Sequence, residues 1–195
     1  MVRRALAIRH WRYGIAGYRI AIIGHSHHED AQDDGDDLTI RTVRKVIDGK
    51  KKIAFFTQIW GYFGFEDNEE FWNRVMFFNY LPERVGAGDE RYKKGPREQV
   101  DRAKARFQSI LRNDKPDKVL VFTNSAGKGW PTFPRTLEQE GDDRLPLGAE
   151  FPKFSWGRYE AGGHIVIAFG LRHPQGAPRE LMRRAVGQIL ALPRT

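Results

Sequence analysis

Short apolar runs and longer amphipathic stretches alternate along the chain, and their two periods assign most of its elements. Arg19 to Ile23 is rich in isoleucine and bounded by Gly17 and Gly24. It is too short for a helix and carries β-branched residues, so it predicts a buried strand over 18–23. Asp36 and Asp37 then precede Leu38, Ile40, Val43, Val46 and Ile47. That is helical spacing with acid at the positive end of the dipole, closed by Gly49 and the cationic Lys50-Lys-Lys52. Residues 53–65 are dense in aromatics, including Phe55, Phe56, Trp60, Tyr62, Phe63 and Phe65, most of which must be core. Asp67 and Glu70 stand at capping-box spacing and open another helix, with Phe71, Trp72 and Val75 on one side. Met76 to Tyr80 reads as a strand that stops at Leu81-Pro82, because proline cannot continue a central ladder.

The second half continues the pattern. Val100, Ala103, Phe107, Ile110 and Leu111 recur at three- and four-residue spacing, which predicts an amphipathic helix over 98–112. Residues 118–123 form the next strand, and Asn124 stands at its terminus. Residues 128–160 hold four prolines and no clear period, and read as an irregular insertion rather than a separate domain. Residues 163–169 form the last strand and empty into a loop over 170–176. Leu181, Ala185, Ile189 and Leu192 place the final helix over 178–192. Residues 1–17 are a basic, aromatic-bearing segment expected to pack on the domain as a short helix. The chain thus predicts one domain over 1–195 of α/β class. The expected architecture is a three-layer α/β/α sandwich around a four-stranded, mainly parallel sheet, with Ile20–Ile23 central.

The chemistry gathers at the strand ends. His25 and Ser26, Asn79, Asn124 with Ser125, and His173 all follow predicted strands, on the edge where open α/β sheets bind ligands. Phe55 and Phe56 are candidates for stacking on a base. Three of the six histidines fall within residues 25–28. Lys and Arg exceed Asp and Glu by eight, 33 against 25, which favours a polyanionic partner. The excess is uneven: residues 29–37 are acidic, while 91–106 and 172–184 are basic. No cysteine is present, which excludes a disulfide framework and a thiolate metal site. No apolar run approaches the ~20 residues of a membrane span, and no signal-peptide pattern follows Met1. A cytoplasmic protein with no membrane partner is expected.

Three of the strand ends carry motifs that resemble the uracil-DNA glycosylase superfamily, and in particular a bacterial branch whose first motif is Gly-x-Ser-His-Tyr. They are Gly24-His-Ser-His-His-Glu29, Phe77-Phe-Asn-Tyr-Leu-Pro82 and Leu171-Arg-His-Pro-Gln175. The resemblance implies a DNA glycosylase that hydrolyses the N-glycosidic bond of uracil or another deaminated base, with no cofactor and no metal, acting as a monomer on DNA. It places Ser26, His28 and His173 in catalysis. Gly24, His25, Phe55, Phe56, Asn79 and Asn124 would bind the base, and Lys93, Lys94, Arg97, Arg172 and Gln175 would contact DNA. The chain departs from the family pattern in three places. Ser26 stands where an Asp or Asn positions water, His28 where a tyrosine excludes methylated pyrimidines, and Gln175 where a Ser follows His-Pro. Water activation then falls to His28, Glu29 or the substrate's phosphates. Two alternatives stay open. One is a non-catalytic nucleic-acid-binding relative. The other is a metal-dependent hydrolase built on the His-x-His spacing of His25 and His27.

Overall fold

The computed structural model describes residues 8–9, 14–26, 38–81, 85, 95–124 and 155–194. It builds one sheet from β1 (Ile8–Arg9), β2 (Ile20–Gly24), β3 (Met76–Asn79), β4 (Lys118–Asn124), β5 (Ser155–Ala161) and β6 (His164–Arg172), in the order β1-β3-β2-β4-β6-β5. The four strands expected from sequence form its parallel centre, with β2 flanked by β3 and β4. Two further strands extend the expected four, each antiparallel at an edge. β1 pairs two residues with β3, so part of the N-terminal segment is strand rather than helix. β5 comes from the stretch read as an irregular insertion, and pairs along its whole length with β6. Gly162 and Gly163 join β5 to β6 with φ of 61° and 74°. Two successive positive φ values make the tight turn whose twist matches a hairpin, and glycine adopts them without strain.

Among the described residues five helices cover the sheet: α1 (Leu38–Ile47), α2 (Ala54–Tyr62), α3 (Asn68–Trp72), α4 (Arg97–Asp114) and α5 (Arg179–Ala191). At α3 half of the capping box forms: Asp67 Oδ1 accepts from the Glu70 N–H at 2.5 Å, while the Glu70 carboxylate turns to Arg74 at 2.6 Å. α2 arises from the aromatic run, where no helix was expected. Its Phe55, Phe56, Ile59 and Tyr62 are all buried.

Strand parity divides the core in two, because alternate side chains take opposite faces. Ile20 and Ile22 of β2 face α1, α2, α3 and α5, together with Phe77, Leu120, Phe122, Phe169 and Leu171. Ala21 and Ile23 face α4, together with Met76, Phe78, Val119, Val121 and Ala168. Ile20, Ile22 and Ile23 are wholly buried, worth ~1.5–3 kcal/mol each. This double burial makes β2 a rigid platform for whatever its carboxyl end carries.

Candidate functional site

Gly24 ends β2 directly opposite Asn79 of β3. A Cβ on Gly24 would lie 2.5 Å from Asn79 Oδ1, 3.4 Å from Phe55 Cζ and 3.5 Å from Phe77 Cε2. Only a hydrogen in place of a side chain lets the Asn79 carboxamide and the Phe55 ring share that space. Phe55, in the first turn of α2, reaches the other way to His173, with ring centroids 5.7 Å apart. Gly24, Asn79, Phe55 and His173 therefore meet at the carboxyl edge of the sheet, on the face covered by α2.

The His173 ring is oriented by its own loop. Its Nδ1 accepts from the Gln175 backbone N–H at 3.2 Å. In the neutral ring this puts the proton on Nε2, so Nε2 is the donor. β6 extends to Arg172, further than the expected end at 169, which leaves His173 as the first residue beyond the strand. Pro174 is buried and its carbonyl accepts from the Ala177 N–H at 3.2 Å, which closes the loop.

His25 does not join this group. The ladder continues past the strand end, with Tyr80 N–H donating to Gly24 O and Leu81 N–H to His25 O, both at 2.9 Å. The backbone stays extended, so parity turns the His25 side chain to the α4 face, opposite to Gly24. It is 3% exposed there. The sequence grouped His25 with Asn79 and His173 because all three end strands on one edge. Edge is shared, but face is not.

The other expected residues fall into three sets. Phe56 is core: its ring lies 5.2 Å from Trp72 and 5.0 Å from Phe77. Ser26 is buried, and its Oγ has no hydrogen-bond partner among the described residues. Arg172 is half-buried, and its Nε likewise has none. Gln175 is exposed and contributes its backbone to His173. Arg97 is exposed at the start of α4, 3.8 Å from Asp101. Asn124 ends β4 opposite Arg172, across a register shift. His28, Lys93 and Lys94 lie outside the described residues, as do His27, Glu29 and Asp30. Among the described residues no group of three or more His, Asp or Glu is placed to hold a metal.

One residue behind the site, on the α4 face, was not singled out from sequence. Arg106 of α4 reaches the end of β3, where its Nη1 donates to the Asn79 carbonyl at 3.0 Å and its Cζ lies 5.3 Å over the Phe78 ring. Burial pushes its pKa down to about 10. In sequence it is one of several cations on the polar side of α4, and nothing in the spacing marks it.

No family model, curated protein or solved structure matches the chain.

Proposed function

We propose that the protein is a DNA base-excision glycosylase of the uracil-DNA glycosylase kind. The observation that carries this reading is the meeting of Gly24, Asn79 and His173 around Phe55 at one strand edge. A deaminated pyrimidine flipped out of DNA has a polar edge with carbonyl oxygens and an N–H. The Asn79 carboxamide carries both an acceptor and two donors, which that edge needs. Cleavage of the N-glycosidic bond leaves negative charge on the base. The Nε2–H of His173 is the donor that would stabilise it, and a neutral ring held by the Gln175 N–H serves this role without gaining a proton. Phe55 floors the cleft between them. Arg172 and the basic balance of the chain supply the phosphate-facing charge. Ser26 cannot take a proton from water at neutral pH, so His28 is assigned that step.

A second reading is favoured by one observation. Ser26 stands in the place of the family's acid or amide, so a relative that binds nucleic acid without cutting it is the alternative. Oligonucleotides containing uracil, hypoxanthine or xanthine, incubated with the protein and then treated with alkali, separate the two. Strand breaks at the modified base, absent with a His173→Ala preparation, support the glycosylase. Tight binding with no breaks on any substrate moves the assignment to the non-catalytic relative.

A further inference from the structure

Arg106 belongs to none of the groups assigned above, yet it is held firmly at the end of β3, on the α4 face behind the cleft. It is fixed twice on consecutive residues of β3, by its hydrogen bond to the Asn79 carbonyl and by its stacking over Phe78. Three other cations of α4 are answered along the helix. Arg97 and Lys104 pair with Asp101 at 3.8 and 3.7 Å, and Arg102 with Glu98 at 3.9 Å. Arg106 has no carboxylate within ion-pair distance among the described residues. The acid nearest along the helix, Asp101, is shared by Arg97 and Lys104, and its charge acts on Tyr80. A half-buried guanidinium with no counter-ion is unfavourable until an anion completes it. Its lowered pKa expresses the same desolvation. The nitrogens of Arg106 that bond nothing are not buried, so that edge of the fork meets solvent.

We propose that Arg106 is a phosphate-binding residue, which presents the free edge of its fork to a backbone phosphodiester of nucleic acid lying across the outer end of β3. The inference rests on the DNA reading above. A planar fork already immobilised on one side matches two phosphate oxygens at little further entropic cost. It also ties the phosphate to the base site, because the same guanidinium holds the Asn79 peptide.

The test is binding of a short labelled duplex over a series of KCl concentrations, for wild type, Arg106→Gln, Arg106→Lys and Arg102→Gln, each checked for folding by thermal melt. Removing one phosphate contact should lower the slope of log K against log salt by about 0.9 in Arg106→Gln. Arg106→Lys should keep the slope and lose affinity, since a point charge replaces the fork. Arg102→Gln, whose charge Glu98 already answers, should keep both. A slope unchanged in Arg106→Gln, or lowered equally in Arg102→Gln, overturns the proposal and leaves the DNA reading standing. If wild type binds with no salt dependence, the DNA reading falls. Inorganic phosphate is then titrated into wild type with the arginine Nε–Hε resonances observed. Saturable movement of the Arg106 resonance with phosphate and not with chloride keeps the anion site, and no movement removes it. That titration needs no variant, so it also decides if Arg106→Gln fails to fold.

Discussion

The two ends of the parallel strands are built on opposite terms. At the amino edge the polar groups answer one another. Asp117 Oδ2 accepts from the Arg19 N–H at 2.6 Å, while Asp117 Oδ1 lies 3.7 Å from Arg194 Nε. The Leu192 carbonyl takes hydrogen bonds from Tyr18 Oη at 3.0 Å and Lys118 Nζ at 2.6 Å. Lys118 also sits 4.2 Å above the Tyr18 ring. His164 Nε2 stands 2.7 Å from the Pro116 carbonyl. At the carboxyl edge Ser26 Oγ, Thr123 Oγ1 and Arg172 Nε are buried with no partner among the described residues. A hollow lined by Arg19, Asp117, Gly163, His164, Ile165 and Arg194 does lie at the amino edge. Its charges are already committed to each other and to the Gly17 and Pro116 carbonyls. Concavity alone therefore does not locate function here. Polar groups that answer one another fasten the amino edge, while Ser26, Thr123 and Arg172 leave unmet groups at the carboxyl edge.

The comparison breaks most visibly at His173. His173→Ala removes the Nε2 donor and should lower single-turnover excision by about 10²–10³-fold, as for other oxyanion donors. Its melting temperature should stay near wild type, because the ring is half-buried and lies beyond the strand. Excision at the wild-type rate would remove His173 from the chemistry. Gly24→Ala should act through space. Its methyl group would collide with Asn79 Oδ1, so the carboxamide must move, at a cost of ~1–3 kcal/mol typical of overpacking. Excision should fall further than stability does, and the reverse ordering would mean that Gly24 serves only the core.

The opposite edge should respond in the opposite sense. Asp117→Ala leaves the Arg19 N–H without its acceptor and releases two guanidinium groups. The side chains of Arg19 and Arg194 are 45% and 63% exposed, so the ion pairs themselves contribute little. The backbone hydrogen bond dominates, and unfolding by urea should show a loss of about 1–2 kcal/mol. DNA affinity and excision should be unchanged. Any loss of excision beyond the loss of folded protein would mean that the two edges are coupled.

The four parallel strands were legible because each is a short apolar run stopped by glycine, proline or polar residues. β5 was not, because its buried face is only Gly157, Tyr159 and Ala161, and the alternate face mixes Trp156 with Arg158 and Glu160. α2 was hidden for the opposite reason. Phe55, Phe56, Ile59 and Tyr62 are buried and Trp60 packs against the same core, so adjacent apolar pairs widen the stripe and blur its period, leaving only Thr57 and Gln58 exposed. The site was half legible. Motif order brought Gly24, Asn79 and His173 together, but which face a strand-end residue takes depends on parity. Counting two from Ile22 gives Gly24 to the cleft and leaves His25 to α4. Arg106 had no signal, since its distinction is the absence of an acid beside it in space among the described residues.

The smallest effect is expected at Ser26, and it tests the idea of unmet polar groups most directly. Ser26 is 5% exposed with its hydroxyl buried, and nothing among the described residues accepts from it or donates to it. A buried hydroxyl in that state has lost water without gaining a bond, so removing it should relieve a cost rather than impose one. Ser26→Ala should leave stability within ~0.5 kcal/mol of wild type or raise it slightly. Catalysis should also persist, because a serine cannot act as base at neutral pH and water activation is assigned to His28. A neutral imidazole with an unperturbed pKa of ~6.5 can take the proton. His28→Ala should therefore lose far more activity than Ser26→Ala. Loss of activity in Ser26→Ala equal to that in His28→Ala would make the serine a water-positioning group. A marked drop in its melting temperature would mean that the hydroxyl does have a partner in the folded chain.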